Sequence, residues 1–301
     1  MKRVLLTGAT GFIGRACLGP LRDRGFEIHA IRHERAASAR DVTWHDCDLL
    51  TADPAPLIAA IRPTHLLHLA WYAVPGKYWT SRENLRWVRA SLALYEAFVA
   101  AGGSRVVMGG SAAEYDWSHG VCRERETPVV PRTYYGRCKH ALAQLIDADA
   151  EQAGISAAWA RFFFLYGPHE YENRLVPSVI LALLRGEVAR CSPGTQQRDF
   201  LHVDDAAAAT VALLDSEVRG PVNIASGAPV AVRSLAEQVA TLVGSGSIDF
   251  GAIAADPNDP PLLIADVRRL RDEVGFTASA QHAQRLGETV AWWRANAGAP
   301  R

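Results

Sequence analysis

Val4-Leu5-Leu6-Thr7-Gly8-Ala9-Thr10-Gly11-Phe12-Ile13-Gly14 is the stretch that decides how this chain is read. A short apolar run breaks into three glycines spaced three apart, then continues as Arg15-Ala16-Cys17-Leu18-Gly19-Pro20-Leu21. The order predicts a buried strand, a tight turn and a helix start. A backbone without Cβ atoms lets a pyrophosphate lie against the free N–H groups of a helix N-terminus. Gly8, Thr10, Gly11, Phe12, Ile13 and Gly14 are therefore candidate dinucleotide contacts. A glycine turn that binds nothing has the same composition, but strand before and helix after favour the binding site.

Working outward, residues 26–32, 65–70, 104–109 and 157–164 read as further strands. Between them, Leu85, Val88, Leu92, Tyr95 and Val99 recur at helical spacing within 84–101. Strands separated by helices imply parallel pairing with right-handed crossovers, hence an α/β, doubly wound sheet. Ligands then bind beyond the carboxyl ends of the strands. The end of the second strand bears on the cofactor. An acidic side chain there would accept hydrogen bonds from both ribose hydroxyls, but the residue eighteen after Gly14 is Arg32, followed by His33 and Arg35. A guanidinium pairs with a 2′-phosphate, so NADP(H) is favoured over NAD(H). An ordinary solvated arginine is the alternative. Asp48-Leu49, after the strand-like 42–44, is placed to touch the adenine ring, and an ordinary turn aspartate remains open beside it.

The chain has 301 residues, 49% hydrophobic and 21% charged, enough for a large core and about two domains. The 32 basic and 32 acidic residues cancel, so no global field favours nucleic acid or an anionic membrane. There is no signal-like leader, and apolar runs break well before the roughly 18 residues a membrane span needs. A cytoplasmic protein is expected. The five cysteines are scattered without a CxxC pair, so reduced thiols and no metal site are expected.

Tyr135 and Lys139 stand four apart, on one face of a helix. A phenol with an ordinary pKa near ~10 is a poor base at neutral pH, and a neighbouring ammonium stabilises its phenolate. Lys139 can also hold a nicotinamide ribose. Ser111 follows the strand at 104–109, where a doubly wound sheet presents its site. Its hydroxyl can hydrogen-bond a carbonyl or alcohol oxygen while Tyr135 exchanges the proton. A turn serine capping a helix is the alternative for Ser111 alone.

With these residues in place the sequence closely resembles the extended short-chain dehydrogenase/reductase family. The resemblance rests on TGATGFIG at 7–14, His68-Leu69-Ala70, Asn84, Ser111 with Tyr115, Tyr135/Lys139, Tyr166-Gly167-Pro168, residues 198–205 (RDFLHVDD) and 223–227 (NIASG). It implies a Rossmann sheet with a smaller C-terminal substrate-binding domain. The expected division is 1–165, joined by a returning segment at about 200–225, against 166–199 and 226–301. It also implies catalytic roles for Ser111, Tyr135 and Lys139, and cofactor contacts from the glycines, Arg32, Asp48, Leu49, Leu69, Ala70, Tyr135 and Lys139. The substrate class it implies is a nucleotide-diphosphate sugar, and the expected assembly is a homodimer through the helices near 84–101 and Tyr135.

Departures narrow the reaction. Sugar dehydratases of the family carry Asp-Glu directly after the catalytic hydroxyl residue; Ala112 and Ala113 stand there instead. Without an acid to protonate a leaving hydroxyl, 4,6-dehydration is disfavoured. Many 4-epimerases carry asparagine two residues before Tyr166, where it touches the substrate diphosphate; this chain has Phe164. By resemblance, Asn173, Arg174 and Leu175 wrap the nucleotide, and Arg198 binds a phosphate, which its bidentate fork suits. Residues 71–79 hold four aromatics, Trp71, Tyr72, Tyr78 and Trp79, either a substrate wall or a subunit contact. Trp292-Trp293 reads as packing. The leading reading is an NADPH-dependent 4-keto nucleotide-sugar reductase. The runner-up is an NAD-dependent 4-epimerase. A non-catalytic redox-sensing protein is a third class, which an intact Ser111/Tyr135/Lys139 set opposes.

Overall fold

The first apolar run forms β1 (Arg3–Thr7), whose Val4, Leu5 and Leu6 are wholly buried. The computed structural model describes residues 2–33 and 39–297. Arg35 lies outside the described residues. After β1 come α1 (Phe12–Asp23), β2 (Glu27–Arg32), β3 (Val42–Asp46), α2 (Ala55–Ile61), β4 (His65–His68), α3 (Glu83–Ala100) and β5 (Arg105–Ser111). Then follow β6 (Val121–Cys122), α4 (Tyr134–Ala153), β7 (Ser156–Phe162), β8 (Phe164–Tyr166), α5 (Leu175–Leu184), β9 (Val188–Cys191) and β10 (Gln197–His202). The chain ends through α6 (Val203–Leu214), β11 (Gly220–Ile224), β12 (Pro229–Ala231), α7 (Val232–Val243), β13 (Ser247–Phe250), β14 (Leu262–Ala265) and α8 (His282–Asn296).

Seven strands form one parallel sheet in the order β11-β7-β5-β4-β1-β2-β3. The chain builds outward from β1 to β3, returns to β4, and builds the other way. The reversal falls between β1 and β4, and a doubly wound sheet opens its ligand crevice at that point. One face is filled by α1 and α6, the other by α2, α3 and α4. The doubly wound fold expected from the sequence is therefore the fold observed.

The apolar run expected as one strand at 157–164 divides between two sheets. β7 stops at Phe162, and β8 pairs in parallel with β10 in a smaller sheet of order β12-β10-β14-β6. Periodicity alone gives no sign of such a change of partner. Helices α5, α7 and α8 pack a separate core with Val179, Ile180, Leu235, Val239, Leu286 and fully buried Trp293. Asp199 ties this region together: its carboxylate accepts from the N–H and hydroxyl of Ser226 and the N–H groups of Gly227 and Ala265, at 2.6–3.2 Å. The five cysteines are free thiols. Among the described residues no helix is long and apolar enough to cross a membrane.

Two glycines in helices give opposite expectations. A Cβ at Gly136 in α4 would stand 2.3 Å from the backbone oxygen of Ala113, whereas one at Gly287 in α8 would meet only Leu242, at 4.0 Å. Alanine is the better helix former by about 0.5–1 kcal/mol. Gly287→Ala is expected to raise stability by about that amount. Gly136→Ala is expected to lower it by about 1–3 kcal/mol, because a backbone oxygen cannot step aside. Urea unfolding of the two variants checks the pair; equal and positive changes would refute the close approach of α4.

Candidate active site

The β1–α1 turn is built to admit a ligand's backbone. Gly8 has φ +72°, and a Cβ there would lie 2.7 Å from Ala70 N. A Cβ at Gly14 would lie 2.2 Å from Gly8 O. Above the turn opens a cavity of about 680 Å³. Gly8, Thr10, Gly11, Phe12, Ile13, Gly14, Arg32, Asp48, Leu49, Leu69, Ala70, Trp71, Ser111, Tyr135 and Arg174 all line it. Residues spread over more than half the chain thus converge as the motifs implied. A glycine turn packed this closely on its own backbone, at the N-terminus of α1 with no side-chain cap, fits a dinucleotide pyrophosphate.

Arg32 is not a freely solvated guanidinium. Its Nε donates to Asp46 Oδ1 at 2.6 Å and its Nη2 to Asp46 Oδ2 at 3.3 Å, across the β2–β3 register. A 2′-phosphate would share this guanidinium with Asp46. Asp48 is also engaged, accepting from Leu50 N–H at 3.0 Å and from the Thr51 hydroxyl at 2.8 Å. The turn role and the cavity position therefore coexist.

At the other end stand the three candidate catalytic residues. Ser111 ends β5, and its hydroxyl accepts from Ala113 N–H at 3.1 Å and lines the cavity together with Tyr135. The Lys139 ammonium is buried; it donates to Gly109 O at 2.6 Å and lies 3.7 Å from the centre of the Trp71 ring. Burial pushes it down to about 7, while Glu114 holds it up. Spacing suggested that Lys139 would ease the Tyr135 phenol into working range. Here the ammonium is committed to Gly109 and Trp71 instead. Burial, then Tyr78, raise the phenol above its ordinary value, against the nearby Ser111 hydroxyl and the Arg174 charge. Tyr135 is thus a protonated phenol at neutral pH.

The aromatic loop after β4 encloses Tyr135. Tyr78, Trp79 and Trp71 meet its ring edge-on at 4.9, 5.8 and 6.4 Å. Asn84, fully buried at the start of α3, fixes this loop. Its Oδ1 accepts from Trp71 Nε1 at 2.8 Å, and its Nδ2 donates to the carbonyls of Tyr78 and Ser81 at 2.7 and 2.9 Å.

Four predicted substrate residues lie away from the cavity lining. Arg198 is 3% exposed, paired with Asp259, and 5.6 Å over the Phe164 ring. Phe164 packs on Phe200, at 5.8 Å between ring centres. Asn173 is exposed in the loop before α5, and Leu175 opens that helix. Sequence reasoning missed Asp46, Glu114 and Glu170. Glu170 lines the cavity only 5% exposed, and burial pushes its carboxyl up to about 8, against Arg174 and a Gly167 hydrogen bond. The backbone at His169 has φ +67°, a turn no residue type there announces.

The model of the NAD dependent epimerase/dehydratase family matches residues 4–225. The chain belongs to this family, enzymes of the extended short-chain dehydrogenase/reductase type. It is 27% identical to UDP-glucuronic acid decarboxylase 1 of Xenopus tropicalis, over 97% of this chain and 72% of that one. Its structure is similar to UDP-N-acetylglucosamine 4-epimerase from Methanobrevibacter ruminantium M1 in complex with UDP-N-acetylmuramic acid. That likeness has a TM-score of 0.89 at 25% identity, over 98% of this chain and 99% of the other. It is similar also to MoeE5 in complex with UDP-glucuronic acid and NAD, with a TM-score of 0.84 at 32% identity, over 98% and 99%.

One buried histidine beside the site gives a pH dependence. His68 bridges the Thr7 and Ser91 hydroxyls at 2.7 and 2.8 Å. Burial first, and the Lys139 charge second, push it down to about 3. The folded protein therefore keeps it neutral, while the unfolded chain protonates it as pH falls through about 6.5. Protonation favours the unfolded chain, so stability is lost between about pH 6.5 and the folded value. His68→Gln is expected to flatten the fall of the urea midpoint between about pH 6.5 and 4. A slope as steep as the parent's would contradict the buried neutral ring.

Proposed function

We propose that the protein is a nicotinamide-dependent reductase of a 4-keto nucleotide-diphosphate sugar in which Tyr135 supplies the proton. The observation that carries this reading is Tyr135 itself. It is a protonated phenol lining the same cavity as Ser111 and the glycine turn and closed in by Trp71, Tyr78 and Trp79. A nicotinamide dinucleotide held by the glycine turn, Asp48 and Leu69 would bring hydride-transfer chemistry to this cavity. Ser111 orients the carbonyl oxygen and Tyr135 protonates it. Lys139, whose ammonium donates to Gly109 O behind Ser111, would hold positive charge at this end of the site. Ala112 and Ala113, both buried, offer no acid to expel a hydroxyl. The aromatic enclosure suits a deoxysugar held in one orientation.

The cofactor reading is NADP(H), from Arg32 in the cavity lining. In the substrate part, residues 166–199 and 226–301, Arg174 lines the cavity and Arg198 would exchange Asp259 for a substrate phosphate. Relatives named for UDP-sugars support a uridine nucleotide. The chain acts as a homodimer through α3 and α4, each of which exposes a leucine, Leu85 and Leu145. A second reading, an NAD-dependent 4-epimerase, is favoured by the Arg32–Asp46 pair and by the NAD in the MoeE5 complex.

Turnover assays separate the two. A reductase consumes NADPH in step with 4-keto sugar and binds NADP more tightly than NAD. Interconversion of two 4-epimers with no net cofactor consumption would overturn it in favour of the epimerase. Tyr135→Phe keeps the ring and removes the proton; turnover is expected to fall by about 10²–10⁴-fold with dinucleotide affinity little changed. Ser111→Ala is expected to cost less. Near-normal turnover of Tyr135→Phe on a confirmed substrate would refute the mechanism.

A further inference from the structure

The buried ammonium of Lys139 has two partners of unlike kind. One is a carbonyl: Gly109 O, at the end of β5, accepts one of its hydrogens at 2.6 Å. The other is the face of the Trp71 indole, with Nζ 3.7 Å from the ring centre. A ring face attracts a cation within about 6 Å of its centre, and indole is the strongest of the aromatic faces. The attraction grows where water is kept from the cation, and Lys139 is only 5% exposed.

The indole is itself held. Its N–H donates to Asn84 Oδ1 at 2.8 Å, and Trp87 lies nearly parallel to it, 6.3 Å away between ring centres. At the far end of the same loop, Trp79 O accepts from the N–H of Tyr135 at 3.1 Å. The loop is thus tied at Trp71 to α3 and at Trp79 to the first turn of α4, one turn before Lys139. We propose that Trp71 is a positioning residue of this site: its indole face seats the Lys139 ammonium and holds it against Gly109 O, two residues before Ser111. The proposal rests on the reading of Ser111 and Lys139 as members of the reacting site. From sequence the aromatic loop reads as a substrate wall or a subunit contact; Trp71 has this third role inside the chain.

The titratable groups around the ammonium do not replace the ring. His68, on β4, is held neutral. Tyr135, on the same helix, is a protonated phenol, and Tyr78 and Arg174 bear on that phenol. The Glu114 carboxylate, after β5, is bonded to Ser111 N–H, Trp159 Nε1 and Arg161 Nε, and favours the ammonium from a distance. Burial pulls Lys139 towards the neutral amine. The indole face opposes that pull by direct contact, because a ring face attracts the ammonium and not the amine. Weakening the face therefore loosens the lysine and makes its proton easier to lose.

The chain's only lysines are Lys2, Lys77 and Lys139, so protein grown with ¹³Cε-lysine gives one signal for each, and Lys139→Met assigns the one of interest. A methylene held over an indole face is shifted upfield by the ring current, and this shift is expected for Lys139 in the parent protein. Position 71 is then filled, at that codon alone, with tryptophans carrying successively more fluorine. Fluorine draws charge from the ring face while keeping its shape and its N–H for Asn84. Followed against pH without substrate or cofactor, Lys139 in the parent is expected to lose its proton near about 7. Its proton affinity is expected to fall step by step along the series, by about tenfold at full substitution. An affinity unchanged along the series would overturn the proposal, as would a parent Lys139 methylene without the upfield shift. Trp71→Leu is expected to lose both the shift and the affinity, and Trp71→Phe to keep most of the affinity. Trp71→Leu titrating as the parent does, or Trp71→Phe titrating as Trp71→Leu does, would overturn it. Because no sugar is turned over, failure of this test is distinct from failure of the reductase reading. Once a substrate is known, the pH at which turnover falls on the alkaline side should move down along the same fluorine series.

Discussion

A buried ammonium is costly unless it is surrounded by acceptors, and the Lys139 ammonium organises the core of this site. It reaches Gly109 O at the end of β5 and lies on the Trp71 ring. For that contact α4 must press against the turn after Ser111, which is why Gly136 can carry no side chain. Trp71 must in turn be held flat, which Asn84 does from the start of α3. The strand end, the helix with Tyr135 and the aromatic loop are thereby locked in one arrangement.

The cavity has two electrostatic ends. Towards the ends of β2 and β3, Arg32, Asp46 and Asp48 are exposed or half-exposed, and each is already hydrogen-bonded. Towards Tyr135, the charges are buried and few. Lys139 and Glu170 are both pulled towards their neutral forms by burial, and Tyr135 stays protonated. Water is a weak competitor in such a pocket, so a proton passed from a phenol to a carbonyl oxygen is well directed.

Much of this was legible in the chain. The glycine turn and the alternation of strands and helices depend on local spacing and are found where the sequence implied, and the helix carrying Tyr135 and Lys139 packs at the end of β5 beside Ser111. What was not legible depends on partners distant in sequence. The division of 157–164 between two sheets follows from β8 finding β10. The ion pair of Arg32 was hidden because nothing in its own strand announced Asp46 in the next. The pairing of Arg198 was hidden because its partner, Asp259, lies 61 residues away. Glu114 was passed over as one charge among apolar neighbours, although a carboxylate three residues after a serine marks a capping box.

The central claim is that one cavity brings a dinucleotide to the carbonyl carbon of a sugar nucleotide while Tyr135 protonates its oxygen. Its most direct test is isotopic. The protein is given NADPH deuterated at the transferable position of the nicotinamide together with 4-keto nucleotide-diphosphate sugars, and the product is read by mass spectrometry and NMR. The account expects one deuterium, on carbon 4, in a single stereoisomer, with an equivalent of oxidised cofactor. Product without deuterium, or deuterium at another carbon, would contradict it.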